Sequence, residues 1–173
     1  VKHILEEHDR IDVWVNNAGI SHLGPAENLS LEVWQDCLDV MLSGAFYCCQ
    51  AVGKPMLERG RGVIVNVASV SGMKAIPGRV AYSIPKAGLI MLTQQLGVEW
   101  ANRGVRVVGI APAVVNTDMV QQGVAEGGVF NEPQAFGDAG ANGGRGVAEQ
   151  ELAQRGLDAR VVHPHHQTGE HVD

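Results

Sequence analysis

The sequence predicts an α/β fold in which a parallel sheet is joined by long crossover helices. Three observations carry this reading. Short apolar runs at 11–15, 62–69 and 104–112 alternate with two long segments of helical period, near 30–58 and 81–102. The run at 62–69 is rich in valine and nearly continuous in apolarity, as in a strand buried on both faces. Strand, long helix, strand, long helix, strand is also the order that right-handed crossovers impose on neighbouring parallel strands. At 173 residues and 45% apolar, the chain can bury one ordinary core.

Taken in order, the opening stretch VKHILEEHDR reads as the end of a helix feeding the strand IDVWV at 11–15. That strand runs into NNAG, a turn composition whose glycine accepts positive φ. From there to Val52, Leu31, Trp34, Leu38, Met41, Ala45, Cys49 and Val52 recur at three- or four-residue steps, which predicts a helix with an apolar stripe. Ser30 is placed to cap it, and Glu32 sits in the first turn beside the unpaired amides. The helix is expected to stop near 58–60, with Gly53 and Pro55 as points where it bends or breaks earlier. GVIVNVAS at 62–69 is the second strand. The second helix, 81–102, draws apolar surface from Ala87, Leu89, Ile90, Leu92, Leu96 and Val98, and GVRVVGIAP at 104–112 is a third strand closed by Pro112.

About three core strands make a thin sheet with an open edge. Residues 1–122 read as this partial core and 123–173 as a glycine-rich, irregular region. Eight glycines fall in 123–146, so loop or disorder is expected there. A weak helix at 146–156 and the run ARVVHPH follow with no clear place in the sheet.

A net charge of -6 and a pI near 5.6 argue against nucleic acid or an anionic membrane as the main partner, since no basic cluster exists to neutralise phosphates. Cys37, Cys48 and Cys49 form no ligand spacing, and their apolar surroundings suggest packed, reduced thiols. With no run of twenty apolar residues and no visible signal peptide, the cytoplasm is the default expectation.

Chemistry concentrates in YSIPK at 82–86. Tyr82 and Lys86 lie one helical turn apart on nearly one face, so the ammonium can favour the phenolate electrostatically. A tyrosine tuned in this way passes a proton to or from a carbonyl or alcohol oxygen. Pro85 is expected in the first turn, where amides have no intrahelical partner, which puts the pair at the helix start and near the carboxyl edge of the preceding strand. Ser69 ends that strand and can donate to the same oxygen. No G-x-S-x-G surrounds it and no histidine–acid set is evident, which argues against a nucleophilic serine. His163, His165, His166 and His171 are weighed as metal ligands, but their polar, glycine-rich approach favours a loose tail and no metal site is assigned.

Together NNAG at 16–19, NVASVSG at 66–72, YSIPK at 82–86 and IAPAVVNTDM at 110–119 resemble the classical short-chain dehydrogenase/reductase family, and GAFYCCQAV at 44–52 is similar to its central helix. The resemblance covers roughly residues 1–120. It implies a Rossmann-type, doubly wound sheet and NAD or NADP as cofactor, with hydride passing between nicotinamide and a small-molecule carbonyl or alcohol. It implies a catalytic set of Ser69, Tyr82 and Lys86, in which Tyr82 is the general acid/base, Lys86 also holds the nicotinamide ribose and Ser69 orients the substrate oxygen. Asn17, Ala18 and Gly19 would line the cofactor cleft, Asn16 would support the sheet, and Pro112, Ala113 and Val115 would pass beside the nicotinamide. Thr117 would contact its carboxamide or the pyrophosphate. A homodimer or homotetramer through the long helices is implied as well.

The chain departs from that pattern in three places. The glycine-rich phosphate loop and the strand whose terminal charge selects NAD or NADP are absent, so residue 1 is expected near the end of the helix before the family's fourth strand, and cofactor binding is expected to be weak. DVML at 39–42 has Met41 where the family carries an asparagine associated with a water-linked proton path. The usual P-G turn is Pro112 and Ala113, and residues after about 123 do not resemble the family's closing elements. Oxidoreductase activity is therefore weighed against an inactive fragment acting as a helix-mediated interaction module.

Overall fold

The protein, described here by a computed structural model over residues 1–113 and the backbone of 159–162, folds around one four-stranded sheet. Strands β1 (Val13–Asn16), β2 (Gly62–Val67) and β3 (Val105–Pro112) are parallel neighbours in that order, and β4 (Ala159–Val162) runs antiparallel along β3. The expected three parallel strands are present. The correction is β4. Its residues open the run ARVVHPH, for which sequence reasoning found no partner, yet Val161 and Val162 pair with Ile110 and Gly109 and cover the edge of β3. A four-residue strand carries almost no periodic signal, and its partner lies some fifty residues back in the chain. The rest of the expected glycine-rich region, including the weak helix at 146–156, lies outside the described residues, as do the four late histidines.

Helix α1 (Lys2–His8) precedes β1 and closes on Asp9 in the left-handed conformation. The expected first long helix is a helical run in three parts: α2 (Leu31–Leu38), a π-turn (Asp39–Ser43) and α3 (Gly44–Arg59). Ser30 caps it by accepting the Val33 amide at 3.2 Å, and Gly60, at φ 68°, ends it. The run continues through Gly53 and Pro55 without a break. What interrupts it is the π-turn, and the buried side chains explain why. Cys37, Met41, Ala45 and Cys49 are all buried at steps of four. A helix of 3.6 residues per turn rotates each such step by about 40°, so the series would drift off one face; the wider turn at 39–43 takes up the drift. Leu31, counted in the expected apolar stripe, is instead 84% exposed.

Helix α4 (Val80–Trp100) connects β2 to β3, and β3 follows a short 3₁₀ turn (Ala101–Arg103). Pro85 corrects an expectation: α4 begins at Val80, so the proline stands in the second turn and removes one i→i−4 hydrogen bond. Its ring is fully buried. Close approach sets the helix pair. Trp100 lies against Gly53, where a Cβ would come within 2.6 Å of the indole.

One face of the sheet meets these helices. Ile64, Val105 and Val107 pack with Cys49, Val52 and Met56 of α3 and Leu96 of α4. Through this core runs a polar ladder. Trp14 Nε1 donates to Asn16 Oδ1 at 2.7 Å, Asn16 Nδ2 to Asn66 Oδ1 at 2.8 Å, Asn66 Nδ2 to Thr93 Oγ1 at 2.9 Å, and Thr93 Oγ1 to the Leu89 carbonyl at 2.7 Å. Asn16 and Asn66 are register partners of β1 and β2, so the ladder fixes the pairing of the two strands as well as their distance from α4. Replacing Asn66 with Ala is expected to cost about 2–4 kcal/mol in urea unfolding, because Asn16 and the buried Thr93 lose their partner and a cavity is left in the core.

Candidate active site

The carboxyl ends of the parallel strands β1, β2 and β3 gather the site. Val67 ends β2, and its carbonyl accepts the Lys86 ammonium at 2.6 Å. Lys86 is 4% exposed, and this is its only hydrogen bond among the described residues, which leaves two N–H donors for a ligand. Burial pushes the ammonium down from its usual value to about 8.

Ser69 follows two residues after Val67 and starts a tight turn whose 3₁₀ segment is Val70–Gly72. Its Oγ accepts the Ser71 amide at 3.1 Å, so the hydroxyl proton stays available to a substrate oxygen. Gly72 lets this turn lie directly on α4: a Cβ there would come within 2.7 Å of the Lys86 carbonyl carbon and 2.8 Å of the Ala87 nitrogen, both backbone atoms that cannot swing aside. Any side chain at 72 therefore pushes the Ser69 turn away from Lys86.

Tyr82 stands in the first turn of α4, half-buried, with its ring centroid 5.7 Å from Lys86 Nζ and 6.0 Å from Arg79 Cζ. Two cations thus face one ring. Arg79 is buried, its Nη1 donates to Ser71 Oγ at 3.4 Å, and desolvation pulls its pKa down while the neighbouring Tyr82 opposes that shift. Sequence reasoning missed Arg79 and Gly72. Arg79 is the N-cap of α4, three residues before Tyr82, and its guanidinium lies over the tyrosine ring; nothing in the sequence marks the close approach at Gly72.

Of the expected site residues, the fold brings Ser69, Tyr82 and Lys86 to one strand end. Asn17 and Ala18 lie exposed in the loop after β1, while Gly19 is half-buried over Lys86. Pro112 ends β3 and Ala113 follows it, both half-buried. Val115 and Thr117 lie outside the described residues. Asn16 belongs to the ladder and bonds Asn66 and Cys49. Met41 is buried in the π-turn. No cluster of three metal-ligating side chains occurs among the described residues.

Gly19 tests whether a ribose-bearing cofactor fits. Its φ lies outside the left-handed region, and the nearest atoms a Cβ would meet are Lys86 Nζ at 3.7 Å and Met41 Sδ at 3.8 Å, ordinary van der Waals contacts, so the fold itself has room for a side chain. What such a side chain would cover is the ammonium. The missing Cβ and the two free donors of Lys86 suit a polar ligand entering over residue 19.

Burying a protonated lysine has a pH signature. Because the folded pKa is about 8 against 10.5 in the unfolded chain, the folded protein binds fewer protons between those values. The cost of burial is fully present below pH 8 and is relieved as the pH rises toward 10.5. Unfolding free energy of the wild type, relative to Lys86→Met, is expected to increase across that window by on the order of 3 kcal/mol. Parallel pH profiles for the two proteins would contradict this.

The profile of the family described as short chain dehydrogenase matches residues 1–126. The chain is 48% identical over 116 residues to D-threitol dehydrogenase of Mycolicibacterium smegmatis, covering 67% of this chain and 45% of that one. It is 44% identical over 126 residues to a 3-oxoacyl-(acyl-carrier-protein) reductase of Synechocystis, covering 73% and 51%. Among solved structures, a gluconate 5-dehydrogenase from Burkholderia cenocepacia in complex with NADP and tartrate matches with a TM-score of 0.69 at 32% identity, over 71% of this chain and 48% of that one. The chain therefore spans about half the length of the curated relatives it matches. A match over most of the chain, relatives that are oxidoreductases, and a parallel sheet with tyrosine, lysine and serine at one strand end lead to one conclusion: this chain belongs to the short chain dehydrogenase family.

Proposed function

We propose that the site oxidises an alcohol or reduces a carbonyl of a small molecule with NAD or NADP. The observation that carries this reading is the buried Lys86 ammonium, anchored on the last residue of β2 beside the Tyr82 ring. The nicotinamide, when bound, supplies or accepts the hydride. Lys86 spends one donor on Val67, and its remaining donors would hold the ribose hydroxyls of the cofactor. Tyr82 Oη, with no hydrogen bond among the described residues, gives a proton to the carbonyl oxygen in reduction and takes it from the alcohol in oxidation. The positive charge of Lys86 favours the negative charge left on Tyr82 after donation. Ser69 Oγ donates to the same substrate oxygen and holds it in line. Asn17, Ala18, Pro112 and Ala113 would wall the cleft at the carboxyl ends of β1 and β3. The relatives named for D-threitol and gluconate make small hydroxylated compounds the first substrates to test. The free, largely buried cysteines suit a reducing compartment, so we place the protein in the cytoplasm.

The same reading gives α4 a partner. Val80, Ile84, Met91 and Val98 are 40%, 50%, 61% and 63% exposed and follow one another at four, seven and seven residues. That spacing keeps one apolar stripe along the outer side of α4, suited to a second copy in a homodimer or homotetramer. Light scattering is expected to find a defined dimer or tetramer that Met91→Glu with Val98→Glu reduces to monomer; a monomeric wild type would remove the proposal.

Turnover tests the chemistry. Tyr82→Phe should lower kcat with NAD(P)H and a carbonyl substrate by about 10²–10⁴-fold while leaving the fold intact by circular dichroism. Turnover equal to that of the wild type would take the proton-transfer role away from Tyr82.

A further inference from the structure

The π-turn takes no part in the proton step, yet it delivers a side chain to the site. Met41 is 1% exposed and packs with Cys37 and Ala81, with Leu29, Val33 and Tyr82 against that cluster. Its Sδ and Lys86 Nζ lie within 4 Å of one point, the position of a Cβ on Gly19. Gly44 keeps the turn in shape, since a Cβ there would stand 3.0 Å from the Asp39 carbonyl oxygen. The surroundings of Lys86 are otherwise sparse in charge. Tyr82 faces it from its own helix, and Arg79, the N-cap of that helix, lies over the same tyrosine ring. β2 offers the Val67 carbonyl, the turn after it offers the backbone-packed Gly72, and the loop after β1 brings Gly19 close to the ammonium. Asp36 and Asp39 are exposed, Cys37 is buried in the Met41 cluster, and no carboxylate pairs with Lys86 among the described residues.

We propose that Met41 is a positioning residue for Lys86: held by the π-turn, its thioether closes the protein side of the ammonium to water and leaves the cleft at Gly19 and Tyr82 as its way to ligand and solvent. A thioether accepts hydrogen bonds weakly and cannot donate, so it walls the cation without drawing it away from Val67. A dry wall also lowers the local dielectric, which strengthens the action of the charge on Tyr82. The functional meaning of this wall rests on the role given to Lys86 above, whereas the wall itself is read without cofactor or turnover.

The experiment follows two sets of carbon signals through a pH titration of the whole chain, labelled with ¹³C at the methionine methyl and lysine Cε positions. Lys86 is identified by its loss in Lys86→Arg and Met41 by its loss in Met41→Leu. In the wild type the Met41 methyl is expected to move with the same midpoint as Lys86 Cε, and Lys86→Arg should abolish that movement. Met41→Leu, apolar and of similar size, should leave the Lys86 midpoint unchanged, while Met41→Gln, which brings donors and an acceptor, should raise it by about one pH unit. A Met41 methyl indifferent to Lys86 would overturn the proposal even if the glutamine variant fails to fold. Equal midpoints in the glutamine variant and the wild type would overturn it too. Since none of these signals depends on hydride transfer, the proposal and the assigned reaction can fail separately.

Discussion

A single charged hydrogen bond, Lys86 Nζ to the Val67 carbonyl at 2.6 Å, ties the start of α4 to the carboxyl end of β2. An ammonium buried to this degree is tolerated only with a partner, and the fold supplies one backbone oxygen and little else. The bond fixes where Tyr82 stands, because the two residues share a helix face one turn apart. It also fixes what surrounds Ser69, because Gly72 holds that turn against the backbone of Lys86. Strand end, turn and helix start thus form one unit, and chemistry follows from their closeness more than from any one side chain.

Beneath that unit, the ladder from Trp14 to Leu89 performs the matching task inside the core. It joins β1, β2 and α4 through side chains whose hydrogen bonds must all be satisfied, and so specifies one register for the sheet. Cys49 borders it, accepting from Asn16 at 3.2 Å; burial pushes its thiol up to about 11, which keeps it neutral in the core. A slip of one residue between β1 and β2 would turn Asn66 out of the ladder and Ile64 out of the core together.

Much of this was legible in the sequence, and the reasons are physical. The parallel strands announced themselves as apolar runs, the helices by period and Ser30 by its capping chemistry. Tyr82, Lys86 and Ser69 could be named because spacing along a helix and the position of a strand end are local properties. Contacts between distant segments left no such trace. The bond to Val67 involves a backbone atom with no sequence signature, and Gly72 looks like any turn glycine until α4 is laid on it. The π-turn could be suspected only from four-residue steps through Cys37, Met41, Ala45 and Cys49, a pattern that a plain helical reading absorbs and that misled it about Leu31. β4 was too short and too far from β3 to be seen at all.

The account stands or falls on a protonated, shielded Lys86 at the end of β2. Lys2, Lys54 and Lys74 are exposed, so their ammonium protons exchange quickly with water. The direct measurement is a ¹H–¹⁵N spectrum tuned to lysine ammonium groups near pH 6, on protein carrying ¹³C-labelled valine carbonyls. A slowly exchanging Lys86 signal coupled across the hydrogen bond to the Val67 carbonyl is the predicted result. A Lys86 ammonium exchanging as fast as the other three, with no correlation to Val67, would contradict it.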